Sequence, residues 1–210
     1  PRQVKQAVPL ELAVVVHLES WLTSELRIVK GFVAGLLTAL HGVLRLVHLC
    51  RSKANKRPLP IGLFCVAERG KGKDQGSAAP LFWTVPRFAV SGLDLVGELW
   101  TYLDSLGLAE GDKACLVPGV RIPRGVSLGE ASELLGSSMS SPQIMRHFRA
   151  LVQQPPLSLA PEEALKYTSY SFRRFHTSLA DRRGVTLGVR IALGDWAESP
   201  SDVAHGAQGL

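Results

Sequence analysis

At 210 residues the chain is long enough to bury one sizeable core, and 46% hydrophobic with 20% charged residues excludes a disordered or fibrous class. A formal charge of +6 favours an anionic partner: nucleic acid, phosphate or an acidic membrane surface. The odd set Cys50, Cys65 and Cys115 has no C-x-x-C spacing, which argues for reduced structural thiols over disulfides or zinc ligands, and no metal or cofactor site is expected.

Residues 1–8 form a lead-in that starts at Pro1 rather than Met, as expected of a fragment of a longer product or a gene model lacking its start, and no signal peptide is expected. Residues 9–24 (PLELAVVVHLESWLTS) have helical spacing, and Leu26 to Cys50 reads as one long, mostly buried helix. Within it, Gly31 to Leu49 has the length and apolarity of a bilayer span. His41, Arg45 and His48 nevertheless fall on one helical face, and a central Arg costs a spanning helix roughly 2.5–3.5 kcal/mol. A core helix with a basic stripe is therefore expected, and no membrane. Arg51 to Pro60 (RSKANKRPLP) is a basic connector, expected as a solvated loop, whose Arg51, Lys53, Lys56 and Arg57 suit DNA phosphates or a nuclear localisation signal.

Two apolar runs, Ile61 to Ala67 and Leu81 to Pro86, flank a Gly- and Lys-rich stretch and predict a β-hairpin. Pro86 closes its second strand and argues against a central position. Leu93 to Leu106 predicts an amphipathic helix stopped by Gly107. Gly107 to Ser141 reads as a long surface connection with one helical hint at Leu128–Leu135. Pro142 to Gln154 predicts a helix carrying Arg146, His147 and Arg149, and Pro161-Glu162-Glu163 opens a short helix to Tyr167. Helices follow at 169–183 and 186–195, separated by Gly184, while residues 199–210 lack core-forming content and are expected to be disordered. The sum is one domain over 9–198, mainly α with a small β-hairpin or sheet (α+β), without internal repeats.

The segment Thr168–Trp196, TSYSFRRFHTSLADRRGVTLGVRIALGDW, concentrates the chemistry. Thr168-Ser169 is a natural N-cap, and Arg173 and Arg174 follow in the first turns, where a guanidinium beside a positive helix end suits an anion such as phosphate. Y-S-F-R-R followed by L-G-D-W resembles the C-terminal half of a tyrosine recombinase (phage-integrase-like) catalytic domain. The hairpin R-G-K-G-K-D-Q-G is similar to the family's lysine-bearing β-turn. Its continuation A-P-L-F-W-T-V-P-R-F-A-V-S-G-L-D resembles recombinase-like sequences of eukaryotic mobile elements. Metal-free transesterification at phosphorus needs a bidentate arginine clamp on the nonbridging oxygens, a proton donor for the leaving oxygen, and a tyrosine that holds the DNA as a 3′-phosphotyrosine. The resemblance implies Arg45, in H-G-V-L-R-L-V-H-L, and Arg173 as the clamp. It implies Lys73 or, alternatively, Lys71 as general acid, and Trp196 as an N–H donor to the phosphate. Tyr170 takes the place of the family's His or Lys and is a poor proton relay near neutral pH. His48 stands where the family has an acid.

The three tyrosines are Tyr102, Tyr167 and Tyr170, and none follows Trp196, where the family's nucleophile lies. The resemblance thus implies a DNA-binding domain of recombination or integration, from a mobile element, inactive as given because it is truncated, decayed or dependent on a tyrosine from another subunit. DNA is the expected partner, with Arg174 among its contacts and assembly of several copies on DNA as one arrangement. A nuclear location is expected if the source is eukaryotic, and a cytoplasmic one otherwise. Two rival readings stand beside it: a basic helical DNA-binding or scaffold domain without chemistry, and a membrane-associated helical protein anchored by residues 31–49.

Overall fold

The computed structural model describes residues 7–43, 46, 52–55, 58–59, 62–67, 81–105, 113–115, 118–121 and 133–189, with backbone alone at 52–55, 58–59, 62–67, 81–84, 103, 113–115, 118–121 and 133–137. Within these bounds the molecule is mainly helical. The first helix, α1 (Leu12–Ser20), buries Val14, Val15 and Leu18 and runs into a 3-10 turn at Trp21–Thr23. Helix α2 (Arg27–His41) is buried at every position from Gly31 to His41. A helix apolar all round belongs at the centre of a core, and α2 packs against α1, the 3-10 turn and four later elements. Its Thr38 hydroxyl donates to the Ala34 carbonyl at 2.7 Å, so the polar group in this core is satisfied.

The single long helix expected over Leu26–Cys50 is corrected here: α2 stops at His41. The Gly42 N–H bonds back to the Thr38 carbonyl and the Val43 N–H to the Leu40 carbonyl. Val43 then takes φ 53°, a left-handed conformation that a β-branched residue adopts only under constraint. Leu46 is again helical and buried. Breaking the run at 42–43 also removes the span considered for 31–49, and among the described residues no helix is long and apolar enough to cross a membrane.

The hairpin forms as expected, with β3 (Gly62–Ala67) antiparallel to β4 (Leu81–Pro86) in a register from Gly62↔Pro86 to Ala67↔Leu81. Among the described residues the strand β4 pairs with β3 alone, consistent with the missing N–H of Pro86. The basic connector 51–60 is corrected: it contributes β1 (Ser52–Asn55) and β2 (Pro58–Leu59), and β1 lies between β3 and β5 (Lys113–Cys115). The stretch 107–141 is likewise more ordered than expected. It holds β5, β6 (Pro118–Arg121) and β7 (Glu133–Ser138), the last two forming a separate antiparallel pair with a register shift at Pro118/Gly119. The helical hint at 128–135 yields to strand at its C-terminal end, since β7 begins at Glu133.

Between sheet and C-terminal helices, α3 (Leu95–Ser105) starts where the Asp94 carboxylate accepts the Gly97 N–H at 3.0 Å. It meets α2 where Gly31 faces Tyr102: a Cβ on Gly31 would lie 2.5 Å from the Tyr102 Oη. The helix α4 (Ser141–Val152) opens with a capping box between Ser140 and Gln143, and buries Ile144, Phe148, Leu151 and Val152. The short α5 (Pro161–Lys166) leads into α6 (Ser169–Arg182). Phe148 and Phe172 meet edge to face at 4.9 Å and fasten α4 to α6. Gly184, at φ 71°, ends α6 with its N–H on the Asp181 carbonyl at 2.9 Å. One cluster of buried residues runs from Leu10 to Phe175.

Candidate functional site

The start of α6 is fixed from several directions. Thr168 caps it: its hydroxyl accepts the Tyr170 N–H at 3.3 Å, and its own N–H donates to the Ser171 Oγ at 2.9 Å. The Arg149 guanidinium of α4 donates to the Tyr167 carbonyl at 2.8 Å. From the N-terminal segment, the Leu10 N–H reaches the Ser171 carbonyl at 3.4 Å. Helical spacing then distributes the side chains. Ser171, Phe172, Arg173, Phe175 and Thr177 are buried, while Tyr170 points outward with 53% of its surface exposed.

Arg173 is 6% exposed and makes an interaction within the chain, so its charge is held in one place by its surroundings. Arg174 donates from Nη1 to the Ala7 carbonyl at 2.8 Å, tying the N-terminal lead-in to α6. Tyr102 and Tyr167 are core residues at 2% and 4% exposure, which leaves Tyr170 as the one tyrosine open to solvent. Burial, with Glu11 and Glu163 nearby, raises the Tyr167 phenol above its ordinary range.

Of the residues expected to form a phosphate pocket, Tyr170, Arg173 and Arg174 lie together on the first turns of α6. Arg45, Lys71, Lys73, Trp196, Arg51, Lys56 and Arg57 lie outside the described residues, as does the expected tail at 199–210. Lys53 is placed by its backbone alone, in β1 opposite Val66 and Cys115.

A polar cluster that sequence reasoning did not assemble lies beside Arg173. Glu19 of α1 is 1% exposed, and its two carboxylate oxygens accept the Val90 and Ser91 N–H groups at 2.9 and 2.8 Å. His41, the last residue of α2, places Nε2 3.4 Å from Glu19 Oε1. That is ion-pair distance without hydrogen-bond alignment, so the attraction is electrostatic at this separation. On its other side, His41 Nδ1 stands 3.2 Å from Nε2 of His176, which belongs to α6 one turn after Arg173. Burial pushes the Glu19 carboxyl up, but His41 and the Ser91 and Val90 donors outweigh it and hold the group below its ordinary range. Burial first and His41 second depress the His176 imidazole to about 4, against an opposing pull from Glu19.

The sequence offered one signal for this cluster, the position of His41 on the basic face of the apolar helix. Nothing local marked Glu19, because its partners stand about 70 residues away in the 90–91 turn. Among the described residues, no group of three or more His, Cys, Asp or Glu side chains is arranged to hold a metal ion. No protein-family model matches the chain, and no curated protein matches it either.

Proposed function

We propose that the chain is a tyrosine-recombinase-like DNA-binding domain of DNA recombination or integration, in which α6 presents Arg173 to a backbone phosphate. The observation that carries this reading is the junction of α2 and α6. The motif Y-S-F-R-R lies on a capped helix start, as the family resemblance requires. His176, three residues after Arg173, touches His41, four residues before Arg45 in the sequence. The two arginines that the resemblance pairs thus flank, in sequence, one described contact. A guanidinium with few accessible orientations suits bidentate phosphate recognition, since little conformational freedom remains to be lost on binding. Because Arg173 is buried and engaged, a phosphate meets the edge of its guanidinium or exchanges with its present partner.

Residues 1–210 by themselves are expected to hold DNA without cutting it. Tyr102 and Tyr167 are enclosed in the core, and Tyr170 precedes Arg173 by only three residues on the same helix. The test is duplex binding by fluorescence anisotropy with wild type and Arg173→Ala, each checked for folding by circular dichroism. A phosphate clamp loses on the order of 2–5 kcal/mol when one desolvated charge partner is truncated. Unchanged affinity in a folded variant removes Arg173 from the DNA interface.

A second reading, a basic helical binding or scaffold domain without chemistry, draws on Arg174. Its bond to the Ala7 carbonyl is an internal tie that serves fold architecture without any DNA.

A further inference from the structure

Three ionisable side chains from three helices converge where α2 ends. Glu19 arrives from α1, His41 from α2 and His176 from α6, and the nitrogens of the two imidazoles face each other at 3.2 Å. Facing nitrogens at that distance accommodate one proton between them, because one must offer a lone pair to the other's N–H. The Glu19 carboxylate next to His41 Nε2 settles the orientation of the chain, since the acceptor-only oxygen draws the Nε2 proton toward itself. His41 Nδ1 then accepts from the His176 Nε2–H or, as an imidazolium balanced by Glu19, donates to it. In the second arrangement the imidazole at 176 is neutral, and in the first its burial favours the neutral form. A proton on each facing nitrogen would set two N–H groups head to head in a buried site.

We propose that Glu19, His41 and His176 form a positioning clasp that sets Arg173 against the end of α2 and requires a neutral imidazole at position 176. The functional consequence rests on Arg173 as the phosphate-binding group, whereas the clasp itself stands on the geometry of three helices. On α6 itself Arg173 lies one turn earlier. The 87–91 segment presents backbone N–H groups to Glu19, while its Arg87 pairs with Asp94 at 3.3 Å. Burial of His176 favours its neutral form, in line with the depressed titration noted above. A device of this kind explains why a carboxylate with two backbone donors is kept in the core: it anchors His41, and His41 in turn fixes the register of α6.

The test uses the full chain with substitutions that separate shape from charge. His176→Gln keeps a neutral nitrogen near the position of Nε2, and His176→Lys places a permanent charge there. For a short DNA duplex, the Gln variant is expected to bind within about twofold of wild type and the Lys variant about tenfold more weakly, although added positive charge strengthens ordinary electrostatic binding. Binding by a folded His176→Lys that equals or exceeds wild type overturns the clasp. Should His176→Lys fail to fold, imidazole nitrogen resonances of the wild-type chain decide: a His176 ring that stays neutral down to well below pH 6 supports it, and protonation of His176 above pH 6 overturns it. If wild type does not bind duplex, or Arg173→Gln binds as wild type does, the phosphate reading fails and the same resonances still decide the clasp.

Discussion

Glu19 is the residue on which most depends locally. Its carboxylate accepts two backbone N–H groups and faces His41 inside the core. Truncation leaves the Val90 and Ser91 N–H groups without this acceptor and the buried His41 Nε2 without the carboxylate beside it. Glu19→Ala is therefore expected to destabilise the chain by about 3–5 kcal/mol, the range for breaking a buried ion pair by removing one partner. Urea denaturation would read this directly, and a loss below about 1 kcal/mol would place Glu19 among ordinary surface acids. Thr168 makes a smaller contribution. Its hydroxyl and N–H close the capping box of α6, and Thr168→Ala is expected to cost about 1 kcal/mol.

Among elements, α2 carries the fold and was both the most and the least legible in the sequence. Its burial followed from an apolar run with few charges. Its end did not, because Gly42-Val43 inside a continuing apolar pattern carries no proline and no polar cluster, and a β-branched residue type gives no hint of the left-handed φ at Val43. The hairpin β3–β4 was legible from two β-rich runs around a Gly-rich stretch. The strands β1, β2 and β5 were not, since SKAN and PL look like loop until β3 supplies a pairing edge. Of the candidate site, the capped start of α6 could be read locally from Thr168 and the arginine pair. The Glu19–His41–His176 contact could not, because it joins positions more than 130 residues apart.

The packing of α2 on α3 makes its own claim. Tyr102 occupies the space over Gly31 so closely that Gly31→Ala is expected to cost about 1–3 kcal/mol through overpacking, despite the better helix propensity of Ala. A melting temperature at or above wild type for Gly31→Ala would mean that the α2–α3 contact is looser than described.

For the whole molecule, acid is the telling perturbation. His176 is held at about 4 against an ordinary 6.5, and His17 and His147 are also depressed, each chiefly by burial. A histidine with a depressed folded value contributes stability that is complete above its unfolded value. That stability is lost as pH falls from about 6.5 through the folded value. Glu19 acts in the same direction at lower pH, because its folded value is also depressed. His176 alone corresponds to roughly 3 kcal/mol across that window. Thermal melts are expected to hold steady near neutrality and fall steeply below pH 6, and His176→Gln is expected to flatten that fall. Acidification also raises the net positive charge of the chain above +6. Nonspecific attraction for DNA therefore rises while the fold weakens, so affinity and stability need separate measurement at each pH.

The molecule's claim on DNA comes down to whether Arg173 neutralises a phosphate. The salt dependence of duplex affinity, compared among wild type, Arg173→Gln and Arg174→Gln, tests this most directly. Each neutralised phosphate adds close to one to the slope of log affinity against log salt. Arg173→Gln is expected to lower affinity about tenfold and to make the slope shallower by about one, while Arg174→Gln, tied to Ala7, leaves the slope as in wild type. A wild-type slope and affinity in folded Arg173→Gln would contradict the phosphate site on α6.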